Sequence, residues 1–264
     1  MNQVPLIKLD NIKKSYKNNL ILKDLSFSID KGEKIGIIGP NGAGKTTLCE
    51  VIAGLRKPDS GSVYIEEGLN IGMQLQDTKW PPGIKVHNMV RLYLENFKVY
   101  ISSEELMELY KVFNLEDLIQ KYIATLSGGQ QQRVNILLAF VANPNFVILD
   151  EVSTALDVDI KEKINNYINS YFDNSDKSLL LVSHNMSEIE KLCEKIVFMV
   201  KGEIVEVQYR KEIIEKHGSL EDYVTNMFKH YNIGSYNTTI INTPNKANDK
   251  WKKEWDGFVS KRKK

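Results

Sequence analysis

Gly39, Gly44, Lys45 and Thr46, in the run GPNGAGKTTL over residues 39–48, are the residues whose types and spacing imply chemistry most directly. Glycine, four residues, then Gly-Lys-Thr is the phosphate-binding loop, here preceded by an apolar run and followed by a helical pattern, as the mechanism requires. Gly39, Asn41, Gly42, Ala43 and Gly44 offer backbone N–H groups to a phosphate, and the positive end of the following helix adds to their field. Lys45 is expected to reach the β- and γ-phosphates, the Thr46 hydroxyl to ligate Mg²⁺, and Thr47 to complete the loop. The ligand so implied is a nucleoside triphosphate.

A second site lies in NFVILDE, residues 145–151. Its apolar residues predict a buried strand ending at Asp150, placed to join the Mg²⁺ shell, with Glu151 beside it at the carboxyl edge of a sheet where doubly wound folds put their ligands. Glu151 is then the group to polarise an attacking water.

These residues need a scaffold. Residues 5–38 hold apolar stretches (LIKL, ILKDLSFSI, KIGIIG) that read as strands, and TTLCEVIAGL after the loop reads as a helix ending at Gly54. GSVYIEEGLNIGMQLQ predicts a short hairpin, and residues 86–123 predict a helical insert. From residue 127 helices alternate with continuously apolar strands, FVILD and SLLLVSH, which indicates a largely parallel sheet covered on both faces. A hairpin, KIVFMVKGEIVEV, follows, then a helical stretch over 210–231 and an Asn/Thr/Ser-rich linker over 232–248.

The charge balance, 35 basic against 34 acidic residues, leaves no global field of the kind that marks a nucleic-acid binder. Cys49 and Cys193 form neither a disulfide framework nor a zinc site. No apolar run approaches the roughly 18 residues of a membrane span, and the N-terminus lacks a secretory pattern, so the chain is expected to stay inside the cell. In the tail, Trp251, Trp255 and Phe258 recur at helical spacing. With eight basic against three acidic residues from Lys246 on, the tail reads either as a disordered end or as an interfacial amphipathic helix.

LSGGQQQR at 126–133, together with GPNGAGKTT, VILDE and VSH, resembles the ATP-binding cassette of ABC transporters over roughly residues 6–205. The resemblance implies an α/β fold, a P-loop NTPase with a mostly parallel core sheet, an antiparallel β subdomain and an α-helical subdomain at about 77–130, followed by a helical extension over 206–231. It also implies an ATP-dependent head-to-tail dimer, as a homodimer or with a second cassette. Each ATP lies between the phosphate loop of one subunit and the signature of the other. Ser127 can cap the signature helix, and Gly128 and Gly129 let its N–H groups approach an anion; Gln130 completes the motif. By resemblance Tyr16 stacks on adenine, Gln76 senses Mg²⁺ and water with Gln74 as a rival register, His184 contacts the γ-phosphate, and 153–157, ending at Asp157, form a segment that crosses the dimer interface. Leu75 and Val152 stand where the family usually has proline.

The function so implied is an ATPase at the cytoplasmic face of the membrane that powers a separate permease. The stretches WPPGIKVHNMVRLY and GSLEDYV are similar to those of exporters of drugs, peptides or bacteriocins. Import is the alternative, and a soluble ABC ATPase, such as one for iron–sulfur assembly, is a further one.

Overall fold

The computed structural model describes residues 4–74, 80–152, 156–173 and 175–233. Gln76, the segment 153–155, most of the expected linker and the whole Trp-containing tail lie outside the described residues.

Two sheets organise the chain. The smaller is antiparallel, in the order β2 (Asn19–Ile29), β1 (Ile7–Tyr16), β4 (Ser60–Ile65). The larger has the order β5 (Ile71–Gln74), β6 (Phe146–Asp150), β7 (Ser178–Val182), β3 (Lys34–Ile38), β8 (Lys195–Val200), β9 (Glu203–Tyr209). Its strands are parallel except for the β8–β9 hairpin. β9 runs to Tyr209, past the expected cassette boundary at 205.

The central strands carry continuous apolar runs because both of their faces are covered. Phe146 and Ile148 of β6 and Leu180 and Val182 of β7 join the core shared with β1, β2 and α1 (Lys45–Ile52). Their alternating neighbours Val147, Leu149, Leu179 and Leu181 join the core on the other face, with α4 (Gly128–Val141) and α5 (Val158–Phe172). Period-two alternation thus sends successive apolar side chains into two different cores.

The hairpin expected over residues 61–76 does not form. β4 pairs with β1 in one sheet and β5 pairs with β6 in the other, so the turn at Glu66–Asn70 connects the sheets. Gly72 has a role at this crossing: a Cβ there would lie 1.9 Å from the Ala139 carbonyl, so only glycine lets α4 pass so close to β5.

The insert expected to be helical over 86–123 resolves into α2 (Val86–Asn96) and α3 (Ser103–Val112), followed by two short 3₁₀ turns. Phe113 meets Tyr167 of α5 edge-on at 5.1 Å, and Phe140 meets the same ring at 5.2 Å, which ties the insert to the layer under the sheet. After α6 (Met186–Leu192) and β9, the expected single helical stretch breaks at Gly218 into α7 (Arg210–His217) and α8 (Leu220–His230). Ser219 caps α8, whose Tyr223 and Phe228 pack on Phe198 of β8. Cys49 and Cys193 are both free and buried.

Candidate nucleotide site

The phosphate loop runs from the end of β3 into α1. A Cβ on Gly39 would lie 2.1 Å from the Met199 carbonyl, so the loop can turn against β8 only with glycine there. α1 starts at Lys45 with Gly44 as its N-cap, and no side chain caps its first N–H groups. Those donors, with the dipole behind them, suit an anion.

Lys45 is only 7% exposed and donates to the carbonyls of Gly39 (2.8 Å) and Pro40 (3.0 Å), which folds its ammonium back over the loop. Burial pushes this amine down from its ordinary value, against the Asp150 and Glu151 carboxylates, which pull it up.

Asp150, at the end of β6, lies opposite. Its Oδ2 accepts the Thr46 hydroxyl at 2.6 Å, while its Oδ1 is buried and accepts no hydrogen bond among the described residues. Burial pushes the carboxyl up; the Thr46 bond and Lys45 oppose this, and Glu151 adds to it. A buried, unpartnered carboxylate oxygen beside a threonine hydroxyl is a donor set that fits a hard, oxygen-seeking divalent ion such as Mg²⁺.

Glu151 follows in the left-handed region at φ 58°, uncommon for a residue of its kind, and its N–H donates to the Val182 carbonyl at 2.9 Å. His184, in the turn after β7, places Nε2 3.3 Å from Glu151 Oε1. The fold therefore brings Lys45, Thr46, Asp150, Glu151 and His184 together from three adjacent parallel strands, β3, β6 and β7, at their carboxyl ends.

The signature segment behaves as its sequence predicts locally. Ser127 caps α4: its Oγ accepts the Gln130 N–H at 3.3 Å, and Gln130 Oε1 accepts the Ser127 N–H at 3.0 Å. Ser127 and Gly128 are exposed, and open space surrounds the position of a Cβ on Gly128. Asp157 is the N-cap of α5, its Oδ1 accepting the Ile160 N–H at 3.0 Å.

Tyr16 ends β1, and the Arg56 guanidinium sits 4.9 Å from its ring centroid. Glu50 holds that guanidinium by two bonds, of 2.6 and 3.1 Å.

Two glutamines shape the site in ways the motifs do not declare. Gln74 is 1% exposed, and its Oε1 accepts the Asp150 N–H at 2.9 Å. It therefore extends the β5–β6 ladder by a side chain. Gln132 donates to the carbonyls of Glu151 (3.4 Å) and Val152 (3.3 Å). It stands one turn after Gly128 on the same helix face, and that spacing is the signal that links the signature helix to the segment carrying Glu151.

A strand, a glycine loop and an uncapped helix facing a strand-end Asp-Glu pair define a P-loop nucleotide-binding cassette. The family model described as "ABC transporter" matches residues 22–154. A probable sulfate/thiosulfate import ATP-binding protein of Chlorella vulgaris is 31% identical, over 84% of this chain and 96% of that protein. A spermidine/putrescine import ATP-binding protein of Fusobacterium nucleatum is 32% identical, over 79% of this chain and 58% of that protein. A Haemophilus influenzae Fe(3+) import ATP-binding protein is 29% identical, over 82% of this chain and 65% of that protein. The chain thus spans nearly all of the first relative but less than two thirds of the other two. Among solved structures, the dimeric MJ0796 cassette is 29% identical with a TM-score of 0.69, covering 77% of this chain and 98% of that one. A post-hydrolysis dimer of the same cassette, bound to ADP and Pi, gives a TM-score of 0.69 at 28% identity, over 77% of this chain and 98% of that one.

This chain belongs to the ABC transporter family and is its ATP-hydrolysing cassette. Among the described residues no helix is long and apolar enough to cross a membrane.

Proposed function

We propose that this chain is the ATPase subunit that drives a separate membrane-spanning permease from the cytoplasmic face of the membrane, with import as the direction. The observation that carries the reading is the convergence of the phosphate loop, the Thr46–Asp150 bond and the Glu151–His184 pair at one sheet edge. The names of the relatives, ATP-binding proteins for import of sulfate, polyamines and iron, favour import over the export reading. The stretch GSLEDYV, which resembles exporters, is accounted for by the Gly218–Ser219 junction and the packing of α8, and so carries no direction.

The residues divide the work. Gly39–Thr47 and the N-terminus of α1 bind the phosphates of ATP, and Lys45 neutralises charge at the β- and γ-positions. Thr46, Asp150 and Gln76 are the residues to hold Mg²⁺, which would supply positive charge to the phosphate oxygens. Glu151 takes a proton from the attacking water, and His184, whose imidazole burial and then Lys45 push down against Glu151, hydrogen-bonds the γ-phosphate. Tyr16 provides the surface on which adenine stacks. Ser127, Gly128, Gly129 and Gln130 close the second face of an ATP held by a partner cassette, and Asp157 anchors the segment that meets the partner.

Glu151→Gln tests the reading. It keeps the phosphate cradle and removes the base, so ATP binding should persist while hydrolysis slows at least about a hundredfold. Wild-type turnover in this variant would contradict the assignment.

A further inference from the structure

His184 sits in a three-residue turn, 183–185, between β7 and α6, and both of its neighbours bond to Glu188, Ser183 to its buried carboxylate and Asn185 to its backbone N–H. The Ser183 hydroxyl donates to Glu188 Oε2 at 2.8 Å. The Asn185 N–H donates to Ser183 Oγ at 3.0 Å, and Asn185 Oδ1 accepts the Glu188 N–H at 3.3 Å. Glu188 is 3% exposed, and its other oxygen, Oε1, lies 2.8 Å from Lys161 Nζ of α5. Lys161 is one turn beyond the Asp157 cap, its N–H donating to the Asp157 carbonyl at 2.9 Å.

This arrangement is hard to explain as packing alone. An ion pair that buries its carboxylate, here with the lysine side chain 25% exposed, gains little stability over apolar side chains of the same volume, because the carboxylate must leave water. Such a carboxylate does fix geometry: one oxygen takes a directed hydrogen bond from the turn that carries His184, and the other faces the Lys161 ammonium of α5. A nearby rigid support of this kind matters for a reacting group, since displacement by about 1 Å can slow a reaction roughly a hundredfold.

We propose that Glu188 is a positioning residue for hydrolysis, holding the 183–185 turn through Ser183 so that His184 Nε2 stays beside Glu151 at the γ-phosphate. The proposal rests on the assignment of His184 given under Proposed function. Lys161 pairs with Glu188 and ties it to α5, so the start of that helix and the histidine turn are mechanically joined.

The test compares Ser183→Ala, Glu188→Gln and His184→Ala, singly and with each of the first two combined with the third, by single-turnover and steady-state ATPase measurements and by nucleotide binding. Ser183→Ala cuts the bond to the turn and leaves the Lys161–Glu188 pair intact, so it remains informative should Glu188→Gln fold poorly. The expected result is a fall in kcat of about tenfold for Ser183→Ala and for Glu188→Gln, with KM and nucleotide affinity within about twofold and no additional loss in the His184→Ala background. Folded Ser183→Ala with wild-type kcat would overturn the proposal. So would an equal further loss on top of His184→Ala, which would show a general structural effect. Wild-type hydrolysis by His184→Ala itself would overturn the histidine's assignment, a separate failure that removes the basis of the proposal.

Discussion

Lys45 and Asp150 respond in opposite directions to the same burial, the amine pushed down and the carboxyl pushed up, each partly restrained by the other's charge. In the proposed function the phosphates of ATP face Lys45 and a divalent ion faces Asp150. Lys45→Ala should therefore weaken ATP binding at least about tenfold, the loss of a charge-assisted contact, as measured by titration with a fluorescent nucleotide. His184 offers a pH signature. Burial, then Lys45, push its imidazole down, with Glu151 opposing. As pH falls, the unfolded chain takes up a proton at this residue before the folded chain does, so stability from this group is present above the ordinary histidine value of about 6.5 and declines below it towards the depressed folded value. Urea denaturation at about pH 7 and about pH 5 should show a smaller loss for His184→Gln than for the wild type. An equal or larger loss in the variant would contradict the depressed imidazole.

Elements differed in how far the sequence could reveal them. β6 and β7 are legible because strands buried on both faces carry continuous apolar runs, FVIL and LLLV, and α4 because Ser127 can cap it. The β4–β5 hairpin was a false reading: two short strands around a turn suggest local pairing, but their partners, β1 and β6, are remote in sequence. The break between α7 and α8 was likewise hidden in a continuous polar-apolar pattern, although Gly218 and Ser219 are good stop and start residues. At the site, the residues carried by motifs could be found from their types and spacing. Gln74 was named only as a rival register to Gln76, Gln132 is signalled only by its spacing from Gly128, and Glu188 not at all, because a buried amide or carboxylate acquires its role from the strand and helix that tertiary packing sets beside it. The close approach of α4 to β5 gives an element-scale prediction. Gly72→Ala would force a Cβ into the Ala139 carbonyl and should destabilise the chain by about 1–3 kcal/mol in urea unfolding, with the β5 end and Gln74 displaced. An unchanged midpoint would mean that α4 moves away freely.

At the scale of the whole molecule, the exposed start of α4 and the uncapped start of α1 are two helix ends suited to an anion in one chain, some eighty residues apart in sequence. In the proposed function they serve the same ATP only when two cassettes meet head to tail, so that nucleotide joins the subunits and hydrolysis releases them. The most direct test is the mass of Glu151→Gln in solution, by size-exclusion chromatography with light scattering, with and without ATP and Mg²⁺. The account predicts a 30.2 kDa monomer without nucleotide and a species of twice that mass with it, abolished when Ser127→Arg is added. A Glu151→Gln chain that binds ATP yet remains monomeric at saturation, or a dimer indifferent to Ser127→Arg, would contradict it.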